Sequence, residues 1–245
     1  MKRINAIFFL LLSAIYPSQY AAAEKFTESH KPISDFRDHL KGFKVKNYLE
    51  FGPGLWTDYF LESCNKVFSV EFVTPGYGPN PMKGYLGVYA NYSNWIPIVF
   101  FSGQQSDTDW APYKYLGSEH VHKAASYQCA THQNYALLDD FYLIELNAFI
   151  NNLVKYNSIQ VAFVNSGLYI RGDLIQLLFN KIPIIFAHDT SCRANGVEND
   201  VYGYSRIETP EDYEEIYIPD GQGVTAWILK TDKYAKLIQA LRPPS

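Results

Sequence analysis

Residues 47–72 read NYLEFGPGLWTDYFLESCNKVFSVEF, and the fold of the chain follows from how this stretch is parsed. Asn47–Phe51 is an apolar run that stops at Gly52-Pro53-Gly54, a turn that interrupts any regular element. From Thr57, whose hydroxyl suits a helix start, Trp56, Tyr59, Phe60 and Cys64 predict a short helix with one inward stripe. Val67–Phe72 is then a second strand, closing on the carboxylate of Glu71. Strand, glycine turn, helix, strand and terminal acid make a βαβ unit of the kind that handles nucleotides, with the ligand at the carboxyl ends of the strands. Glycines at 52 and 54 would let the backbone come close to a bulky ligand there.

Upstream, Phe26, Ile33, Phe36, Leu40 and Phe43 predict an amphipathic helix between Glu24 and Lys46, packed beside the sheet. Earlier still, Lys2 and Arg3, an apolar run from Ala6 to Ile15 and the small residues Ala21–Ala23 read as a secretory signal peptide over residues 1–23. That run falls short of the roughly 20 residues a membrane span needs. The expectation is an exported protein, periplasmic or secreted, with residues 24–245 forming a single α/β domain and no stable membrane span after cleavage.

Downstream, residues 73–93 and 102–137 are punctuated by glycine, proline and tyrosine and read as irregular insertions. Strands are expected at Trp95–Phe101, where Pro97 suggests an edge or a bulge, at Gln160–Asn165 and at Ile182–His188. Helices are expected at Leu138–Tyr156, Gly172–Lys181 and Tyr234–Leu241, and a hairpin pairs Glu215–Ile218 with Val224–Leu229. Five strands separated by helices or long connections, then a hairpin, predict a mostly parallel sheet.

With 21 basic against 25 acidic residues, a net charge of −4 and no basic stripe, the chain lacks a nucleic-acid footprint. Of the three cysteines, Cys129 and Cys192 are the favoured disulfide pair in an oxidising compartment, although three free thiols fit equally well. Glu119-His120-Val121-His122 supplies two histidines, and His132 and Asp189 would be needed to complete a metal site. A solvated loop is the simpler reading, so no metal is expected.

The stretch LEFGPGLWTDYF, with Glu50, Gly52, Gly54 and Thr57, followed by VFSVEF with Glu71, resembles the class I S-adenosylmethionine-dependent methyltransferases. The resemblance implies a three-layer sandwich of methyltransferase-like Rossmann topology. Its seven-stranded, mostly parallel sheet would have an antiparallel C-terminal strand inserted beside the fifth. It implies that S-adenosylmethionine is held by Glu50, Gly52, Gly54, Thr57, Glu71 and Asn165, with Glu50 near the methionine ammonium and Glu71 on the ribose hydroxyls. A dinucleotide-binding Rossmann protein would want a small residue where Thr57 stands. The chain departs from the family at three places: Leu55-Trp56 replaces a third glycine, Ser102-Gly103-Gln104 stands where an acid would meet adenine, and Asn165 replaces an acid. Trp56 would crowd the cofactor.

His188 and Asp189, at the end of the fifth expected strand, are the candidate catalytic pair, with His188 as general base; a structural histidine beside a turn-capping aspartate is the alternative. Two functions therefore stand. The first is an exported methyltransferase acting on an oxygen of a small or glycan-like acceptor, to which the tyrosine-rich insertions could contribute stacking. The second is an inactive methyltransferase-fold protein that binds a ligand or protein partner. Export favours the second, because S-adenosylmethionine is charged and does not cross a bilayer unaided. A nucleotide-sugar or dinucleotide binder is a third reading.

Overall fold

The computed structural model describes residues 36–242 except 37, 55, 74–80, 102–112, 114–115, 118–119, 124–139, 167–169, 196–199, 201 and 220–221. The expected signal peptide at 1–23, most of the insertion at 102–137, and Glu119, Cys129 and His132 lie outside these residues.

The unit quoted at the outset forms as its pattern dictates. Strand β1 is Asn47–Phe51, helix α1 Thr57–Ser63 and strand β2 Lys66–Val73. They are followed by α2 (Pro81–Tyr89), β3 (Trp95–Phe101), β4 (Val121–Lys123), α3 (Asp140–Asn157), β5 (Val161–Val164) and α4 (Arg171–Leu178). Strand β6 (Ile184–His188), α5 (Ser191–Asn195), β7 (Tyr213–Ile218), β8 (Val224–Leu229) and α6 (Ala235–Leu241) complete the chain.

These strands form one eight-stranded sheet in the order β4-β3-β2-β1-β5-β6-β8-β7. The pairs from β4 to β6 are parallel, whereas β8 runs antiparallel to both β6 and β7. The last strand is thus inserted beside Ile184–His188, as the resemblance implied. The seven expected strands are present, and β4 adds an eighth at the edge.

Both faces of the sheet are covered, which is why β1, β3, β5 and β6 are nearly continuous apolar runs. On one face Leu49, Phe51, Val70, Phe100 and Val164 pack under Leu146, Phe149 and Ile150 of α3 and Leu174, Ile175 and Leu178 of α4. On the other, Tyr48, Val67, Trp95, Phe163 and Phe186 pack under Phe60 and Leu61 of α1, Met82 and Tyr89 of α2, and Leu237 and Leu241 of α6. Phe36 and Leu40 join this second layer, with the Phe36 ring 4.4 Å from that of Phe186, so the described part of the upstream segment packs against the sheet.

Several expectations are corrected. The stretch 73–93 is not irregular throughout, because Pro81–Tyr89 is a helix. Proline is tolerated at a first helical position, where its missing N–H has no partner to lose, and the buried Met82 and Tyr89 anchor the helix despite Gly84 and Gly87. Pro97 is paired with β2 on one side only, because β4 reaches no further than Val99–Phe101, and its carbonyl accepts from His120 Nδ1 at 2.9 Å on the open side, so the expected edge position holds locally. Its absent N–H therefore costs no bond to β2. Cys192 is a free thiol, so the favoured Cys129–Cys192 disulfide is not formed, and Cys64 is free and buried in the α1 layer.

Candidate functional site

The site is built where β1 and β2 end. Alternation along β1 puts Glu50 on the same face as Tyr48, and the parallel register sets Glu50 opposite Ser69 of β2. Two residues further, Glu71 points to the same layer. Both carboxyl groups are buried, Glu50 at 1% and Glu71 at 6% exposure.

Glu50 is partly satisfied. Its Oε1 accepts from the hydroxyls of Thr57 at 2.9 Å and Ser69 at 2.5 Å, while Oε2 has no partner among the described residues. Ser69 in turn receives Trp95 Nε1–H at 2.8 Å, so a chain of hydrogen bonds links the third strand to the turn after the first. Glu71 Oε1 accepts the N–H of Phe72 at 3.1 Å. Burial pushes the Glu50 carboxyl up to about 7, against the opposing hydrogen bonds from Ser69 and Thr57. Burial likewise pushes Glu71 up to about 8, with Glu50 adding to the rise. The charged neighbours that bear on this pair are themselves acidic: Asp58 on Glu50, and Glu50 on Glu71.

Each cofactor candidate of the turn also has a place in the fold. Gly52 has φ +87°, and a Cβ there would lie 2.5 Å from the Asn165 carbonyl oxygen. This glycine serves a close approach between β1 and the end of β5, and its N–H donates to Val70 O at 2.9 Å. Asn165 contributes main chain to that approach, its own N–H donating to Phe51 O. No described residue beyond its chain neighbours lies within 4 Å of where a Gly54 Cβ would sit, so Gly54 is the glycine that leaves space. Thr57 is the first residue of α1, with Trp56 in the capping position; its hydroxyl accepts Gly54 N–H at 3.0 Å. Trp56 is 3% exposed and belongs to the buried cluster on the α1 side of the sheet.

His188 ends β6 and Asp189 follows it; with β5 between β6 and β1, they stand about 10 Å across the sheet from Glu50 and about 14 Å from Glu71 at the usual strand spacing. His188 is buried at 5% exposure, and its Nδ1 lies 3.2 Å from Asp189 Oδ1. Asp189 Oδ2 accepts from Arg171 Nη1 at 2.9 Å, and Tyr204 donates its hydroxyl to the His188 carbonyl at 2.6 Å. Arg171 and Tyr204 carried no sequence signal, because their partners lie 17 and 16 residues away. Ser69 and Trp95 were hidden as ordinary strand positions.

The two histidines of the edge are engaged in structure: His120 holds Pro97, and the His122 ring packs 4.6 Å from that of Phe149. Among the described residues no group of three His, Cys, Asp or Glu side chains is placed to hold a metal ion. No helix among them is long and apolar enough to cross a membrane.

No family model and no curated protein matches the sequence. Solved structures do resemble it. A methyltransferase from Podospora anserina with S-adenosylhomocysteine bound is 11% identical, with 92% of this chain and 87% of that one covered at a TM-score of 0.42. A putative caffeoyl-CoA O-methyltransferase from Staphylococcus aureus is 11% identical, with coverages of 92% and 99% and a TM-score of 0.43. The N-methyltransferase NodS from Bradyrhizobium japonicum, in complex with S-adenosylhomocysteine, is 12% identical, with coverages of 91% and 97% and a TM-score of 0.34. The strand order, with the last strand antiparallel and inserted beside β6, is the one the methyltransferase resemblance implied. Which ligand the chain accepts is a matter for its own residues.

Proposed function

We propose that this protein is an exported S-adenosylmethionine-dependent methyltransferase acting on an oxygen of a small or glycan-like acceptor. The observation that carries the reading is the pair of buried carboxyl groups, Glu50 and Glu71, at the ends of adjacent strands, one of them with an unpartnered oxygen. Such a pair suits a ligand that is cationic at one end and carries vicinal hydroxyls, and the residues fit S-adenosylmethionine in that sense. Glu50 Oε2 would meet the ammonium, Glu71 the ribose, and the open space at Gly54 would admit the chain between them. The bound cofactor supplies an activated methyl group.

The same features weigh against a dinucleotide. A pyrophosphate needs free N–H donors at the turn, yet Gly52 N–H is spent on Val70 and Gly54 N–H on Thr57. Two carboxyl groups at that place would also repel it.

What remains for the chain is to orient the acceptor and remove its proton. His188, beside the Asp189 carboxylate at the same edge of the sheet, is the base, and a histidine in that role contributes typically 10²–10⁴-fold. A ligand-binding module without chemistry is the second reading, favoured by the burial of Glu71, which a ribose must uncover.

Calorimetry and thermal shift of residues 24–245 with S-adenosylmethionine test the proposal. Saturable binding that E71A weakens supports it, and no heat or shift at millimolar cofactor sinks it. Export is tested by N-terminal sequencing of the protein recovered outside the cytoplasm, which should begin at Glu24.

A further inference from the structure

The hydrogen bonds that hold Glu50 have a direction, because two of the donors behind them have no alternative. An indole N–H and a backbone N–H donate and never accept. Trp95 Nε1–H reaches Ser69 Oγ at 2.8 Å, so Ser69 is the acceptor there, and its single hydroxyl proton is left for Glu50 Oε1 at 2.5 Å. Gly54 N–H reaches Thr57 Oγ1 at 3.0 Å, so the Thr57 proton goes the same way, to Oε1 at 2.9 Å. Ser69 and Thr57 are fully buried, so water does not compete for either hydroxyl.

Oε1 thus receives two protons, which fill its two lone pairs. Any proton that Glu50 itself carries sits on Oε2, which is buried and has no hydrogen-bond partner among the described residues. The two oxygens are therefore unlike: one is anchored, and the other is left for a ligand. Trp95 opens β3, two strands from Glu50, and reaches it through Ser69. The Tyr89 ring packs edge-on against the indole at 5.4 Å.

We infer that Ser69 and Trp95 are positioning residues for the cationic group of the ligand. Trp95 commits the Ser69 proton to Oε1, and the anchored Oε1 leaves Oε2 to exchange its proton for the ammonium. The proton lost from Oε2 passes to solvent, and no covalent bond is made. The inference deepens the methyltransferase reading, in which Glu50 Oε2 meets that ammonium. Tyr48 of β1, Glu71 of β2, Asp58 of α1 and Tyr89 of α2 are the titratable groups that bear on Glu50, and none of them supplies a positive charge. The donated hydrogen bonds are what favours its ionised form. A Ser-Trp contact that only tied β2 to β3 would leave the titration of Glu50 unmoved.

The test follows the Glu50 carboxyl without cofactor, in protein carrying ¹³C-labelled glutamate, with the signal assigned by its loss in E50Q. S69A should raise the midpoint by about one pH unit, the size of one hydrogen bond lost to a charged group. W95F, which keeps an aromatic ring and deletes the N–H, should raise it by less. Because Trp95 acts through Ser69, the double variant S69A/W95F should titrate with S69A, and additive shifts overturn the relay. An unmoved midpoint in folded S69A or W95F also overturns it. Infrared difference spectra of the wild type against E50Q at about pH 5, where Glu50 holds its proton, do not depend on either variant folding. The Glu50 carbonyl should stretch at the low frequency of an acid whose C=O accepts two hydrogen bonds; the high frequency of a free acid carbonyl overturns the inference. Affinity for S-adenosylmethionine is read separately: a wild type that binds none defeats the methyltransferase reading, while the titration still decides the roles of Ser69 and Trp95.

Discussion

The Thr57 hydroxyl donates to Glu50 Oε1 at 2.9 Å while accepting Gly54 N–H at 3.0 Å, so one side chain ties the glycine turn to the buried acid of β1. A resemblance-based reading places Thr57 among the cofactor ligands, but it is fully buried and its hydroxyl is already spoken for. Replacing it with valine keeps the shape and strands two partners. T57V should lose about 2–3 kcal/mol in urea denaturation, since each buried group left unsatisfied costs about 1–3 kcal/mol. T57S should lose less than half as much; equal losses would show that the methyl group, not the hydroxyl, matters.

The two glycines of the turn should separate cleanly. G52A places a Cβ 2.5 Å from the Asn165 oxygen at a positive φ, so it should cost about 3 kcal/mol or more, or prevent folding. At Gly54 a Cβ meets open space, so G54A should change stability by less than about 1 kcal/mol. If Gly54 faces the cofactor, the same variant should weaken cofactor binding.

Stability should fall as pH rises through neutrality. Glu50 and Glu71 are raised to about 7 and about 8 in the folded protein, against an ordinary carboxyl value of 4.5. Between pH 4.5 and 8 the folded chain therefore holds protons that the unfolded chain has released. Their contribution is full below pH 4.5, declines across that window, and is flat above about 8. At about 1.4 kcal/mol per unit the total is on the order of several kcal/mol. Denaturation curves from pH 5 to 9 measure it, and E50Q or E71Q should each flatten part of the slope; an unchanged slope in both would show that other groups carry it.

Cofactor affinity should run the opposite way. A cationic ligand prefers ionised carboxylates, so binding to protein with Glu50 and Glu71 protonated must release protons. Affinity for S-adenosylmethionine should climb between pH 6 and about 8.5 and then level, and calorimetry in buffers of different ionisation enthalpy should detect the released protons. Binding that ignores pH would mean the cation does not meet these acids.

Much of this molecule was legible before any coordinates. The bounds of β1 and β3 follow residue for residue from apolar runs stopped by glycine, proline or polar residues. The hairpin of β7 and β8 follows from its Gly-containing turn. Helix α2 was obscured because Gly84 and Gly87 look like breakers, and only packing of Met82 and Tyr89 onto the sheet outweighs them. Strand β4 is three residues long and polar, too short to leave a pattern.

At the candidate site, the sequence alone determined which strands carry the candidate groups near their carboxyl ends: Glu50 on β1, Glu71 on β2, and His188 closing β6 with Asp189 after it. That much is local, because strand periodicity and a glycine turn are written in neighbouring residues. Tertiary structure alone decided what those groups experience. It buried both acids with no basic partner among the described residues, placed Trp56 in a buried cluster, assigned Gly52 to a contact with Asn165, and brought Arg171 and Tyr204 against His188. Burial and charge contacts arise between segments far apart in the chain, and no local pattern encodes the distance at which two such segments come to rest.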